Sequence, residues 1–138
     1  MTFSINNEYA KLGQEVLDDV AELNWLTQVD CRIGFMGSTK PKKSKGNTVL
    51  GECILVNELY KEFCPYDFLI VFYEPNIDGM NHQQLKILAE HELRHVGYEE
   101  SANGEPRYFI NSHDYEEFKK IIEKYGADWT RNTPQQDE

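Results

Sequence analysis

His91 and His95 stand four residues apart in LAEHELRHVGY (Leu88 to Tyr98), and Glu92 directly follows the first. On a helix, residues at i and i+4 lie one turn apart on one face. Two imidazole nitrogens so placed converge on one Zn²⁺ at about 2.0 to 2.1 Å. The glutamate projects beside the first ligand, where it takes a proton from a metal-bound water rather than binding the metal. The chemistry implied is metal-assisted hydrolysis with Glu92 as general base; the competing reading is a polar helix with a coincidental spelling. A catalytic zinc uses three protein ligands and keeps one position open. Of the four histidines, only His113 lies downstream of the pair, just before a candidate helix cap, and it is the expected third ligand. Glu99 and Glu100 compete only if the helix runs through Gly97, a residue better suited to ending it. Asp114 is a weaker competitor, because its spacing to Glu117 suits an N-cap. His82 is too far along the helix axis from His91 to share the metal and reads as a surface residue.

These side chains need rigid elements beneath them. Asn81 and Gln84 are spaced as an N-cap and its N3 partner, so the motif helix runs from about His82 to Val96, with Gly97 as its C′ residue. At about 100° per residue, Leu85, Ala89, Leu93 and Val96 share an apolar face. Lys86, Glu90 and Arg94 fall on a second face as a solvent stripe, with Glu90 before Arg94 in the favourable order. The histidines and Glu92 keep the third. Ahead of this helix, FLIVFYEP (Phe68 to Pro75) is a continuous apolar run of strand length, as expected of a central strand buried on both faces. Val29 to Met36 and Thr48 to Asn57 read as two further strands. Tyr9, Leu12, Val16, Val20 and Leu23 recur at threes and fours, which predicts a first helix from Glu8 to Leu26. Arg107 to Ile110 is a short extended piece, and a last helix starts near Asp114, with Phe118, Ile121, Ile122 and Tyr125 on its buried face and Gly126 as its stop. The tail TRNTPQQDE is polar.

A chain of 138 residues with 40% hydrophobic and 12% aromatic content suits one domain with a real core. The expected organisation is a single domain over 1–138, with its core at about 8–129 and a polar tail at 130–138. Fourteen basic against 24 acidic residues give a formal charge of -10, which on average repels nucleic acid and anionic membranes. The exception is STKPKKSKG (Ser38 to Gly46), whose Lys40, Lys42, Lys43 and Lys45 form either a solvated hairpin loop or a weak nucleic-acid contact. Cys31, Cys53 and Cys64 are widely spaced without a C-x-x-C pair, so free thiols in a reducing cytosol are expected. Neither a signal peptide nor an apolar run of membrane length is present in the sequence. The expected setting is therefore the cytoplasm.

FCPYDFLIVFYEPNI (Phe63 to Ile77), QLKILAEHELRHVG (Gln84 to Gly97) and YFINSHDYEEFKKIIEKYGADW (Tyr108 to Trp129), with GNTVLGECILV upstream, together resemble the phage metallopeptidase family, a compact zincin-like group of bacteriophages and bacterial mobile elements. The resemblance covers roughly Val29 to Trp129. It implies a minimal α+β zincin-like domain: a short mixed sheet of three to four strands packed against an N-terminal helix, the HExxH helix and a C-terminal helix. It further implies one Zn²⁺ per chain on His91, His95 and His113, Glu92 in the catalytic place, and a protein or peptide substrate. Ala89 and Arg94 depart from the bulky apolar residues frequent at those positions. Two other readings stand beside it. One is a non-catalytic zinc-stabilised binding module with a closed ligand shell; the other is a DNA-associated factor working through the Lys40 to Lys45 loop.

Overall fold

The computed structural model describes residues 2–111 and Lys124. The chain enters through a short strand β1 (Phe3–Ile5) and turns into helix α1 (Asn7–Asp19) at Asn6. The Asn6 side chain accepts hydrogen bonds from the Glu8 and Tyr9 amides, satisfying two donors that a helix start leaves without partners. The single helix predicted to Leu26 is in fact two elements, because Val20 is extended and Ala21–Thr27 form a 3₁₀ segment. Val20, Leu23 and Leu26 are all buried. Their spacing of three serves a 3₁₀ turn as well as an α-helix, so the apolar pattern does not distinguish them.

Strand β2 (Ile33–Ser38) comes next, then the small strands β3 (Lys43–Ser44) and β4 (Asn47–Thr48), then β5 (Gly51–Leu55) and β6 (Phe68–Tyr73). Strands β1, β2, β6 and β5 lie in that order in a mixed sheet, with β2 parallel to β6 and the outer pairs antiparallel. The apolar part of the run, Phe68–Tyr73, is thus an interior strand, as its composition predicts, while Glu74 and Pro75 open the next turn; Phe68, Ile70, Val71, Phe72 and Tyr73 are all buried. The segments predicted at Val29 to Met36 and Thr48 to Asn57 are shifted and shortened, and they flank β6 instead of pairing with each other. The lysine-rich loop between them closes as its own hairpin, β3–β4, with Lys45 (φ 52) and Gly46 (φ 82) in the left-handed conformation that tight hairpin turns demand.

After the single turn α2 (Glu74–Ile77), helix α3 (His82–Leu93) starts with a complete capping box: the Asn81 side chain accepts from the Gln84 amide, and the Gln84 side chain accepts from the Asn81 amide. The helix ends at Leu93, not Val96. Val96–Glu100 instead form strand β7, antiparallel to β8 (Pro106–Ile110). Gly97 is therefore no C′ residue. It is a close-approach glycine, since a Cβ there would lie 2.5 Å from the Phe109 ring. Phe35, Phe68, Ile70 and Phe72 from the sheet meet Leu12 and Val16 of α1 and Leu88, Ala89 and Leu93 of α3 in one core. The supposed solvent stripe is the other correction. Glu90 is 1% exposed and Arg94 6%, because α1 and the 3₁₀ segment pack over that face and bring Glu22 to Arg94. The architecture is the expected α+β, with a four-stranded mixed sheet on the first helix and the motif helix. The predicted last helix lies outside the described residues, apart from Lys124, which is helical.

Candidate functional site

His91 occupies the last turn of α3, and His95 follows the helix end, where its amide donates to the Glu92 carbonyl at 3.0 Å. The two imidazole rings stand with centroids 5.3 Å apart and planes at 73°. Two histidines holding one tetrahedral zinc at about 2.0 to 2.1 Å through a ring nitrogen have centroids roughly 5 Å apart, so this pair is spaced as a ligand pair. The His95 Nδ1 lies 2.6 Å from the Asn111 carbonyl oxygen, an acceptor only, so Nδ1 carries a proton and, in the neutral ring, the lone pair is on Nε2. Asn111 is itself held firmly: its amide donates to the His95 carbonyl at 2.7 Å, and its side-chain nitrogen to the Val96 and Arg94 carbonyls at 3.3 and 3.4 Å. The orientation of the His95 ring thus depends on the β8 end returning to the helix end.

Glu92 is 4% exposed, at the back of a cleft of about 260 Å³ between the motif residues, Gly51 to Cys53 of β5 and Ile110 of β8. Gly51 makes room for it, because a Cβ there would stand 3.4 Å from Glu92 Oε2 and 3.2 Å from the Val71 carbonyl. Burial pushes the Glu92 carboxyl up to about 8, and the negative charge of Glu52 adds to the shift. Glu52 behaves oppositely. Partial burial would raise it, but the Lys42 ammonium at 2.7 Å and the Tyr73 hydroxyl at 2.5 Å hold it below the usual carboxylate range. The cleft therefore contains one fixed anion and one carboxylate with high proton affinity.

Among the described residues, no three His, Cys, Asp or Glu side chains form a group able to hold a metal ion. The structure brings together His91, His95 and Glu92; His113 and Asp114 lie outside the described residues. Glu99 and Glu100, the competing ligands, are on β7, where Glu99 accepts from Arg107 at 2.5 Å and Glu100 from the Tyr98 hydroxyl at 3.2 Å. Neither lines the histidine cleft. His82 is at the surface, 3.0 Å from Glu15. The three cysteines are free thiols, and Cys53 lines the histidine cleft. Among the lysines of the loop, Lys40, Lys43 and Lys45 are exposed and Lys42 is engaged by Glu52. Among the described residues, no helix is long and apolar enough to cross a membrane.

Sequence reasoning missed Glu52, Gly51 and Asn111. A glutamate within a β-branched run is the only signal for Glu52. Asn111 acts through its backbone carbonyl, which leaves no mark on residue type. A second, larger cleft of about 920 Å³ lies beyond the other end of β5, away from the histidines.

A family model described as "Putative phage metallopeptidase" matches residues 1–135, nearly the whole chain. No curated protein and no solved structure matches it.

Proposed function

The chain belongs to the putative phage metallopeptidase family, and from that membership we propose that it is a zinc peptidase in which His91, His95 and His113 hold the metal and Glu92 is the general base. The observation that carries the reading is the pair of imidazoles at ligand spacing, with a buried carboxylate beside them in one cleft. Support for His113 comes from connectivity. Asn111 is hydrogen-bonded to His95, and His113, outside the described residues, follows it by two positions in the sequence. We read the whole chain as one domain built around this site.

When bound, Zn²⁺ supplies Lewis acidity that acidifies a water and polarises the peptide carbonyl. The protein's own residues do the rest. The Asn111 carbonyl keeps the His95 proton on Nδ1 and its lone pair on Nε2. A Glu92 carboxylate oxygen takes the proton of the attacking water and returns it to the leaving nitrogen, a role its place in the cleft beside both imidazoles suits. Burial of Glu92 under Gly51 holds it toward the cleft.

The test is metal content of the native protein by elemental mass spectrometry, with casein hydrolysis measured alongside. About one zinc per chain is expected, lost or weakened in His91→Ala and His113→Ala. Glu92→Gln is expected to keep the zinc and lose hydrolysis; loss of zinc in that variant would make Glu92 a ligand and defeat the assignment. The alternative of a non-catalytic zinc module has one observation in its favour, since Cys53 lines the same cleft and offers a fourth donor. In that case Cys53→Ser would weaken zinc binding, whereas the peptidase reading expects no change.

A further inference from the structure

The cleft of about 920 Å³ shares two walls with the histidine cleft. Strand β5 lines the histidine cleft at Gly51 to Cys53 and the larger one at Leu55; strand β8 lines them at Ile110 and at Pro106 to Tyr108. With a rise of about 3.3 Å per residue, two to three residues of an extended chain bridge the two. We propose that the larger cleft is a specificity pocket of the peptidase, taking a lysine or arginine side chain two to three residues from the scissile bond. The inference rests on the peptidase reading above.

The chemistry of the lining favours a cation. Its own basic groups are already committed: Lys61 lies 3.1 Å and Arg32 4.0 Å from Asp67, and Arg107 donates to Glu99 at 2.5 Å. Asp30 and Glu58 are exposed at the rim, and among the described residues neither pairs with a cation. Between the charges stand the rings of Tyr98 and Tyr108, with centroids 5.7 Å apart. Ring faces and unpaired carboxylates together are the features that select ammonium and guanidinium groups. The Tyr108 ring already carries a cation, the Lys61 ammonium at 5.3 Å from its centroid, so the incoming group would meet the Tyr98 ring and the rim carboxylates. An acidic side chain would meet Asp30 and Glu58 with like charge, and an aliphatic one would use the rings without the carboxylates.

Binding can be measured apart from catalysis. Alanine-based hexapeptides carrying one lysine, norleucine or glutamate are titrated by calorimetry into the zinc-loaded Glu92→Gln protein. Lysine is expected to bind about tenfold more tightly than norleucine, the scale of one ring contact plus exposed charge pairs, and glutamate most weakly. In an added Asp30→Asn/Glu58→Gln pair, whose sites are exposed and tolerate substitution, the lysine advantage is expected to fall below about threefold with norleucine binding unchanged. Equal binding of lysine and norleucine, a preference that survives the double substitution, or no binding of any peptide at millimolar concentration would each overturn the proposal. Cleavage of the same peptides by the native zinc protein separates the two readings. Lysine-selective binding without cleavage would defeat the catalytic assignment and leave the pocket; cleavage indifferent to lysine would defeat the pocket and leave the catalysis.

Discussion

The Arg94 guanidinium shows how one side chain ties the motif helix to the rest of the molecule. Its Nη2 donates to Glu90 at 2.7 Å and to Glu22 at 3.1 Å, so it bridges α3 to the segment after α1 from a position that is 6% exposed. Removing one partner of a buried pair leaves the other charged and unsolvated, at a cost of about 3 to 5 kcal/mol. Arg94→Leu is therefore expected to lower unfolding free energy by about 3 kcal/mol in urea titration, and a Glu90→Leu/Arg94→Leu pair to recover most of it. Equal losses in the single and double variants would refute this account. A second residue-scale expectation concerns Cys31, whose thiol is pushed up to about 12 by burial and then by the charge of Asp67, with Lys61 opposing. A raised thiol value means less thiolate at pH 8, so alkylation by iodoacetamide should be at least about a hundredfold slower in the native protein than in denaturant. Peptide mapping that found Cys31 labelled equally fast in both would contradict the burial argument.

At the scale of elements, the hairpin of β7 and β8 holds the end of the motif helix. Gly97→Ala would drive a methyl group to 2.5 Å from the Phe109 ring and 2.7 Å from its carbonyl oxygen. The ring can give, but the backbone atom cannot, so a loss of about 1 to 3 kcal/mol is expected by thermal unfolding. Zinc affinity should fall with it, because Asn111 follows directly on the displaced strand; unchanged affinity would uncouple the hairpin from the histidines. This hairpin is also where the sequence was least legible. The capping box at Asn81 and Gln84 marks the helix start through side-chain chemistry, and that start was readable. The end carries no such mark, since Val96 suits the apolar face of a helix and the interior of a strand equally. Glu90 and Arg94 likewise read as a surface pair, because i, i+4 spacing states who their neighbour is and not what packs above them. That His91, Glu92 and His95 share one cleft was legible because it follows from residue type and local spacing on a helix. Glu52 and Asn111 were not, since one arrives across the sheet and the other contributes only backbone.

For the molecule as a whole, the proposed zinc site would link metal binding and folding by mass action. Zinc that binds the native state and not the unfolded chain adds RT ln(1 + [Zn]/Kd), about 2.7 kcal/mol at a hundredfold excess over Kd. The melting temperature should accordingly rise with zinc and fall with a chelator, and His91→Ala should remove the dependence. A melting temperature indifferent to both would argue against a bound metal. The chain's charge of -10 bears on the basic hairpin. If Lys40, Lys43 and Lys45 contact nucleic acid, binding must weaken steeply with salt, and charge reversal of the three must abolish it; unchanged binding in the reversed protein would assign the contact elsewhere.

Two hydrogen bonds between His95 and Asn111 close residues 95–111 into a ring, with the histidine at its clasp and the turn around Ser101 to Glu105 at its far side. Whatever happens to the length of that turn is absorbed before the clasp. Insertions between residues 102 and 104 should leave His91 and His95 undisturbed while reshaping the rim near Glu100 and Pro106. The ring thus separates the histidine end from the rim of the larger cleft, and it marks the place where a label can be grafted without touching the histidines.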